Sequence, residues 1–78
     1  MVDYNYLNTL LMNEFADVIT YSNLSKESEG VESQIFRDIA REEFVHSKHL
    51  KRVLSDKKEL MDGFEKAEKD ALEALDSI

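Results

Sequence analysis

Three side chains in this sequence have the types and spacing to do chemistry: Glu14, Glu43 and His46. In the run Glu43-Phe44-Val45-His46 the acid and the imidazole stand three residues apart, so on a helix they share one face. Glu14 falls three residues after Leu11 and four before Val18, and its carboxylate therefore points where those apolar side chains point. Glu43 and His46 interrupt a second apolar stripe in the same way, between Ile39 and Leu50. A carboxylate on a buried stripe without partners costs several kcal/mol, and it protonates or draws in water instead. The sequence thus calls for compensation by a metal ion, by a proton, or by a buried ion-pair and hydrogen-bond network among these same residues.

Oxygen and imidazole are the donors on offer. With no cysteine there is no thiolate zinc site, iron–sulfur cluster, disulfide framework or cysteine nucleophile. Divalent iron and manganese accept carboxylate oxygen and imidazole nitrogen, and zinc accepts them too. Around the three candidates lie weaker ones. Glu42 is four residues before His46 and is an alternative partner for it, although Arg41 and His49 beside it mark the edge of the stripe. Asp17, one turn after Glu14, and His49, one turn after His46, are candidates for an outer acidic path that passes cations inward, or are ordinary surface residues. Tyr21 reads as a boundary packing residue, and Met12 and Met61 as packing residues at helical spacing.

The elements that must position these groups are helices. Proline is absent, glycine occurs only at Gly30 and Gly63, and Leu, Ala, Glu and Lys are plentiful, so the fold class is all-α. From about 4 to 26, Leu7, Leu11, Val18 and Tyr21 recur at three- and four-residue steps, with Leu10, Phe15 and Leu24 widening the stripe. The polar stretch from Ser25 to Gly30 predicts a reversal, with Gly30 as a left-handed cap. A second helix runs from about 31 to 54 through Ile35, Phe36, Ile39, Leu50 and Val53, antiparallel to the first. A bend at 55–59, where Asp56 and Glu59 suggest a partial capping box, leads to a third helix from about 56 to 76. Its stripe is Leu60, Phe64, Ala67, Ala71 and Leu75, and its wet side pairs Asp62 with Lys66 and Glu65 with Lys69.

Seventy-eight residues form one domain at most, residues 1–78, whose single core buries little surface, and self-association is expected. The formal charge of −7 and the lack of a basic stripe argue against nucleic acid as a partner. No apolar run is long enough to cross a bilayer and no secretory signal is visible, which points to the cytoplasm or a soluble compartment. Di-metal carboxylate bundles take one Glu from each of two helices and a Glu-x-x-His from each of two others. This chain holds one of each, so two copies about a twofold axis would complete the set, the hairpin dimerising into a four-helix bundle.

The segments "NEFADVITYSNL" and "DIAREEFVHSKHL" resemble half of a ferritin-like or rubrerythrin-like protein, in which such a helix pair occurs twice. With one copy, the chain looks most similar to the encapsulated ferritins, short chains that associate into a ring and oxidise ferrous iron inside a protein nanocompartment. The resemblance rests on Glu14 followed by Tyr21, about 30 residues to Glu43, and His46 three beyond. It implies a di-iron ferroxidase or iron-storage protein, with Glu14 as a bridging or terminal carboxylate and Glu43 and His46 as metal ligands. It further implies Tyr21 as a hydrogen-bond donor behind the ligands or a redox-active phenol, a homo-oligomer that could be a ring of dimers, and an encapsulin-type shell as partner. Two departures are visible: the helical "ALEALDSI" stands where those ferritins carry a cargo-loading extension, and the cysteine-rich, rubredoxin-like part of full rubrerythrins is missing, so peroxide reduction by that route is not expected. Two readings from other classes compete with it. One is a non-catalytic helical oligomerisation module whose acidic stripe sets register; the other is manganese or zinc held as a structural staple at the same interface.

Overall fold

A computed structural model describes residues 1–57 and 63–78. These form three helices and, among the described residues, no strand: α1 (Tyr4–Glu27), α2 (Gly30–Leu54) and α3 (Phe64–Asp76). Asp3 starts α1 as its N-cap, its side chain accepting a hydrogen bond from the Tyr6 N–H at 3.1 Å. The reversal after α1 needs only Ser28 and Glu29, both extended. Gly30 has the positive φ expected of it, +61°, but as the first residue of α2 and not as the cap of α1, whose C-cap is Ser28. Beside the turn, Ser25 and Ser33 clasp the two helices: each hydroxyl donates to the other residue's carbonyl at 2.8 Å. Side chains this small let the helix ends approach closely.

The two long helices pack antiparallel, as expected. One cluster of buried side chains joins Leu11, Phe15 and Val18 of α1 to Phe44 and Leu54 of α2 and to Phe64 and Ala71 of α3. The third helix is held by Phe64, whose ring lies 6.2 Å from that of Phe15, and by an ion pair from Lys51 to Glu68 at 3.0 Å. It begins at Phe64 with Gly63 as its N-cap, and α2 closes at Leu54, where the Ser55 hydroxyl and N–H both turn back to the Arg52 carbonyl; residues 58–62 of the expected bend and third helix lie outside the described residues. Gly63, at φ +101°, sets up the start of α3 in a conformation that a side chain would strain. Leu60, Met61 and the capping and pairing roles of Glu59 and Asp62 lie outside the described residues. On the wet side of α3 the pair that forms is Lys66 with Asp70, 3.1 Å apart, and not Glu65 with Lys69.

Several apolar residues expected on buried stripes are exposed. Ile35 and Val53 of α2 are each about half exposed, and Met12 of α1 is exposed as well. For Ile35 and Val53 the reason is geometric: α3 covers one side of the α1–α2 hairpin, and among the described residues nothing covers the other. None of the described helices is long and apolar enough to cross a membrane.

Candidate metal centre

The uncovered side of the hairpin carries the three predicted residues together. Glu14 projects from the middle of α1, and Glu43 and His46 from the facing stretch of α2. His46 Nδ1 lies 4.0 Å from Glu14 Oε2 and 3.9 Å from Glu43 Oε1. One donor atom from each residue falls within 4.8 Å of the other two, and no further residue joins them among the described residues. The local sequence explains the arrangement. The i, i+3 spacing aligns Glu43 with His46, and the short turn tied by Ser25 and Ser33 brings Glu14 level with them on the antiparallel helix.

Burial differs from what the stripe pattern implies. Leu11 and Val18, which flank Glu14, are fully buried, whereas the Glu14 and Glu43 side chains keep 23% and 21% of their exposure and His46 keeps 57%. The two acids stand at the rim of the hairpin core, and the imidazole reaches beyond it. The groups are nevertheless under stress. Glu14 Oε2 is inaccessible to water and has no hydrogen-bond partner. Burial, above all, raises the Glu14 pKa from 4.5 to about 7; hydrogen bonding to Glu43 and the charges of Glu43 and Asp17 push it the same way. The orphaned oxygen and the hydrogen bond to Glu43 belong to different protonation states. Two carboxylates have no proton to donate, so the bond to Glu43 forms when Glu14 is protonated, and Oε2 is left alone when it is not.

The remaining candidates are not gathered in. Asp17, Glu42 and His49 are all exposed and outside the cluster, and Asp17 acts on it only through its charge on Glu14. Tyr21 makes no hydrogen bond among the described residues; its half-buried ring stacks on Phe36, with centroids 6.3 Å apart. This contact fits the reading of Tyr21 as a boundary packing residue, one layer above the acids. The apolar periodicity carries no trace of the buried serines. Ser22 and Ser47 lie in the interior, the latter donating to the Phe44 carbonyl of its own helix. Ser47 adjoins His46 at the level of the acids, and Ser22 lies beside Tyr21 one layer above them.

The donor set suits a divalent cation. Two carboxylates and one imidazole match iron or manganese, and they accept zinc equally. A cation beside Glu14 Oε2 would also supply the partner that the oxygen lacks.

An antiparallel helical hairpin with a third helix packed on one side, presenting a carboxylate from one helix and Glu-x-x-His from the next, defines the ferritin-like class of fold. Within that class the chain belongs to the Rubrerythrin family, whose model matches residues 5–78. Proteins of this family generally bind iron. No curated protein and no solved structure matches the chain.

Proposed function

We propose that this chain is a ferroxidase-type protein that binds and oxidises ferrous iron, with a dinuclear centre assembled between two copies in the manner of the encapsulated ferritins. One observation carries the reading: Glu14, Glu43 and His46 hold donor atoms within 4.8 Å of one another on a face that the chain's own third helix leaves open. In one chain that is three donors, half of the set found in a di-metal carboxylate bundle. A second copy placed face to face would bring three more and would exclude water from the acids.

Bound iron supplies the redox couple. The protein's own residues do the rest. Glu14 would have to give up its proton to hold a cation, and its buried oxygen would then have a positive partner in place of Glu43's hydrogen bond. Glu43 and His46, fixed at i and i+3, set the angle between carboxylate and imidazole. Carboxylates surround the ion with negative charge and so favour the ferric over the ferrous state. Phe36, Ile39 and Leu50, half-buried beside the ligands, form an apolar surround.

The test is addition of ferrous iron to the metal-free protein under argon, followed by air. An oxygen-dependent rise in near-ultraviolet absorbance is expected, lost in Glu43→Ala and in His46→Ala. A rise no faster than in buffer, or one that survives both substitutions, rejects the function.

A further inference from the structure

The side of the hairpin that α3 covers holds a second feature, remote from the acids. Between the last two turns of α2 and the first turns of α3 lies a cavity of about 440 Å³, open to solvent and lined by Lys48, Lys51, Arg52, Ser55 and Glu68. Its walls are mostly hydrocarbon, as the stems of long cationic side chains are. At 100° per residue, Lys48, Arg52 and Ser55 stand roughly opposite His46 around α2. The charges at this cavity run against the rest of the chain. Among 17 acidic and 10 basic side chains overall, it gathers three cations and a single acid. Lys51 and Glu68 cancel each other, the ammonium donating to both carboxylate oxygens at 3.0 Å. Lys48 and Arg52, one turn apart, have no carboxylate partner among the described residues; the Lys48 ammonium lies over the Phe44 ring, 5.2 Å from its centroid. Cations in the last turn of a helix answer its dipole, which accounts for Lys51 and Arg52. It accounts neither for Lys48, further back, nor for the cavity.

We infer that this cavity binds a phosphate monoester with a flat apolar body, of the kind found in mononucleotides and flavin phosphates. Its volume falls within the range of small-molecule sites, about 300–1,000 Å³, and its make-up is theirs too, apolar walls with a few charged groups that fix orientation. A bare phosphate would leave most of it empty. The Arg52 guanidinium offers a planar fork that takes two phosphate oxygens, and a face on which a ring can stack. Lys48 adds a second charge from one turn away, about 6 Å along the helix axis. The hydrocarbon stems beside them take the apolar body. Glu68, already neutralised by Lys51, does not repel the phosphate.

Flavin mononucleotide is the probe, with riboflavin, the same ring system without the phosphate, and inorganic phosphate as its two halves. Titrated with the metal-free full chain and followed by flavin fluorescence anisotropy, the mononucleotide is expected to bind saturably and about tenfold or more tighter than riboflavin. Inorganic phosphate should compete about tenfold or more weakly than the unlabelled competitor adenosine monophosphate, which has a flat body of its own. Lys48 and Arg52 are exposed, so replacing them leaves the core intact. Arg52→Ala and Lys48→Ala should each weaken binding about tenfold, and Arg52→Lys, which keeps the charge and loses the fork, about threefold. Lys66→Ala removes an equal charge from the exposed side of α3 and should change the affinity by less than about twofold. Absence of saturable binding, equal affinity for riboflavin and its phosphate, or losses in Arg52→Ala and Lys48→Ala no larger than in Lys66→Ala would each overturn the inference. Competition by a hexaglutamate peptide that is stronger than by adenosine monophosphate overturns it as well, in favour of an acidic protein segment as the occupant. The cavity lies apart from the acids, so iron oxidation can fail while this binding holds, and the reverse.

Discussion

The two sides of the α1–α2 hairpin differ in what finishes them. On one side α3 completes the core, setting Phe64 against Phe15 and burying Ala71. On the other lie half-buried apolar residues, two carboxylates and an imidazole, with no covering element among the described residues. The first side is a closed packing problem, solved inside the chain. The second leaves both a hydrophobic and an electrostatic debt, and a single addition, a second copy carrying cations, would settle both. Apolar stripes of similar strength can thus serve fold stability on one side and assembly on the other.

The comparison breaks most visibly at the core. Phe15→Ala should cost the metal-free chain about 3–5 kcal/mol in a urea melt, whereas Ile39→Ala on the open side should cost roughly 1 kcal/mol there and act mainly on dimer dissociation. Equal losses would mean that both sides contribute alike to the fold of one chain. Next in size is pH. Glu14 keeps its proton to about pH 7 in the folded chain, against 4.5 for an unperturbed carboxyl, so between those values the folded state binds more protons than the unfolded one. Stability of the metal-free protein should therefore be highest near pH 4.5 and fall as the pH rises through about 7, by an amount on the order of 2 kcal/mol. With manganese bound the dependence should reverse, because the cation needs the carboxylate. Thermal melts across that range, with and without the metal, read both slopes.

Glu14→Leu should sharpen the same point. It is expected to flatten the pH dependence, stabilise the metal-free chain at pH 8 by about 1–2 kcal/mol and abolish manganese binding in titration calorimetry. Retained binding would show that Glu43 and His46 suffice without α1. The smallest effect belongs to the wet side of α3. Lys66→Ala removes the exposed pair with Asp70 and should change stability by no more than about 0.5 kcal/mol.

Most of this architecture was legible beforehand, and for physical reasons. The three- and four-residue recurrence of Leu7, Leu11 and Val18 reports burial directly, so the hairpin and its ends followed within a few residues. The i, i+3 spacing of Glu43 and His46 and the interruption at Glu14 placed the cluster correctly. What periodicity does not carry is which flank of a broad stripe another element will cover. Ile35 and Val53 looked like core because the pattern records apolarity and not the partner that buries it. Tyr21 was read from its own sequence as a boundary packing residue and from the resemblance as a hydrogen-bond donor or redox-active phenol; its neighbour across the hairpin is the Phe36 ring, a contact that depends on register between helices. The start of α3 at Phe64 is set by Gly63 at φ +101°, a backbone conformation that leaves no periodic trace.

The serine clasp beside the turn has a mechanical meaning. Ser25 and Ser33 pin the hairpin at one end, while the ligands lie about 16 Å along α1, eleven residues back at 1.5 Å each. The hairpin is a pair of tongs with its hinge at the serines, and a splay of only about 4° there would move Glu14 by about 1 Å relative to His46, enough to change how tightly an ion is gripped. Two hydroxyl groups remote from the acids thus act as the gauge that sets the jaw width.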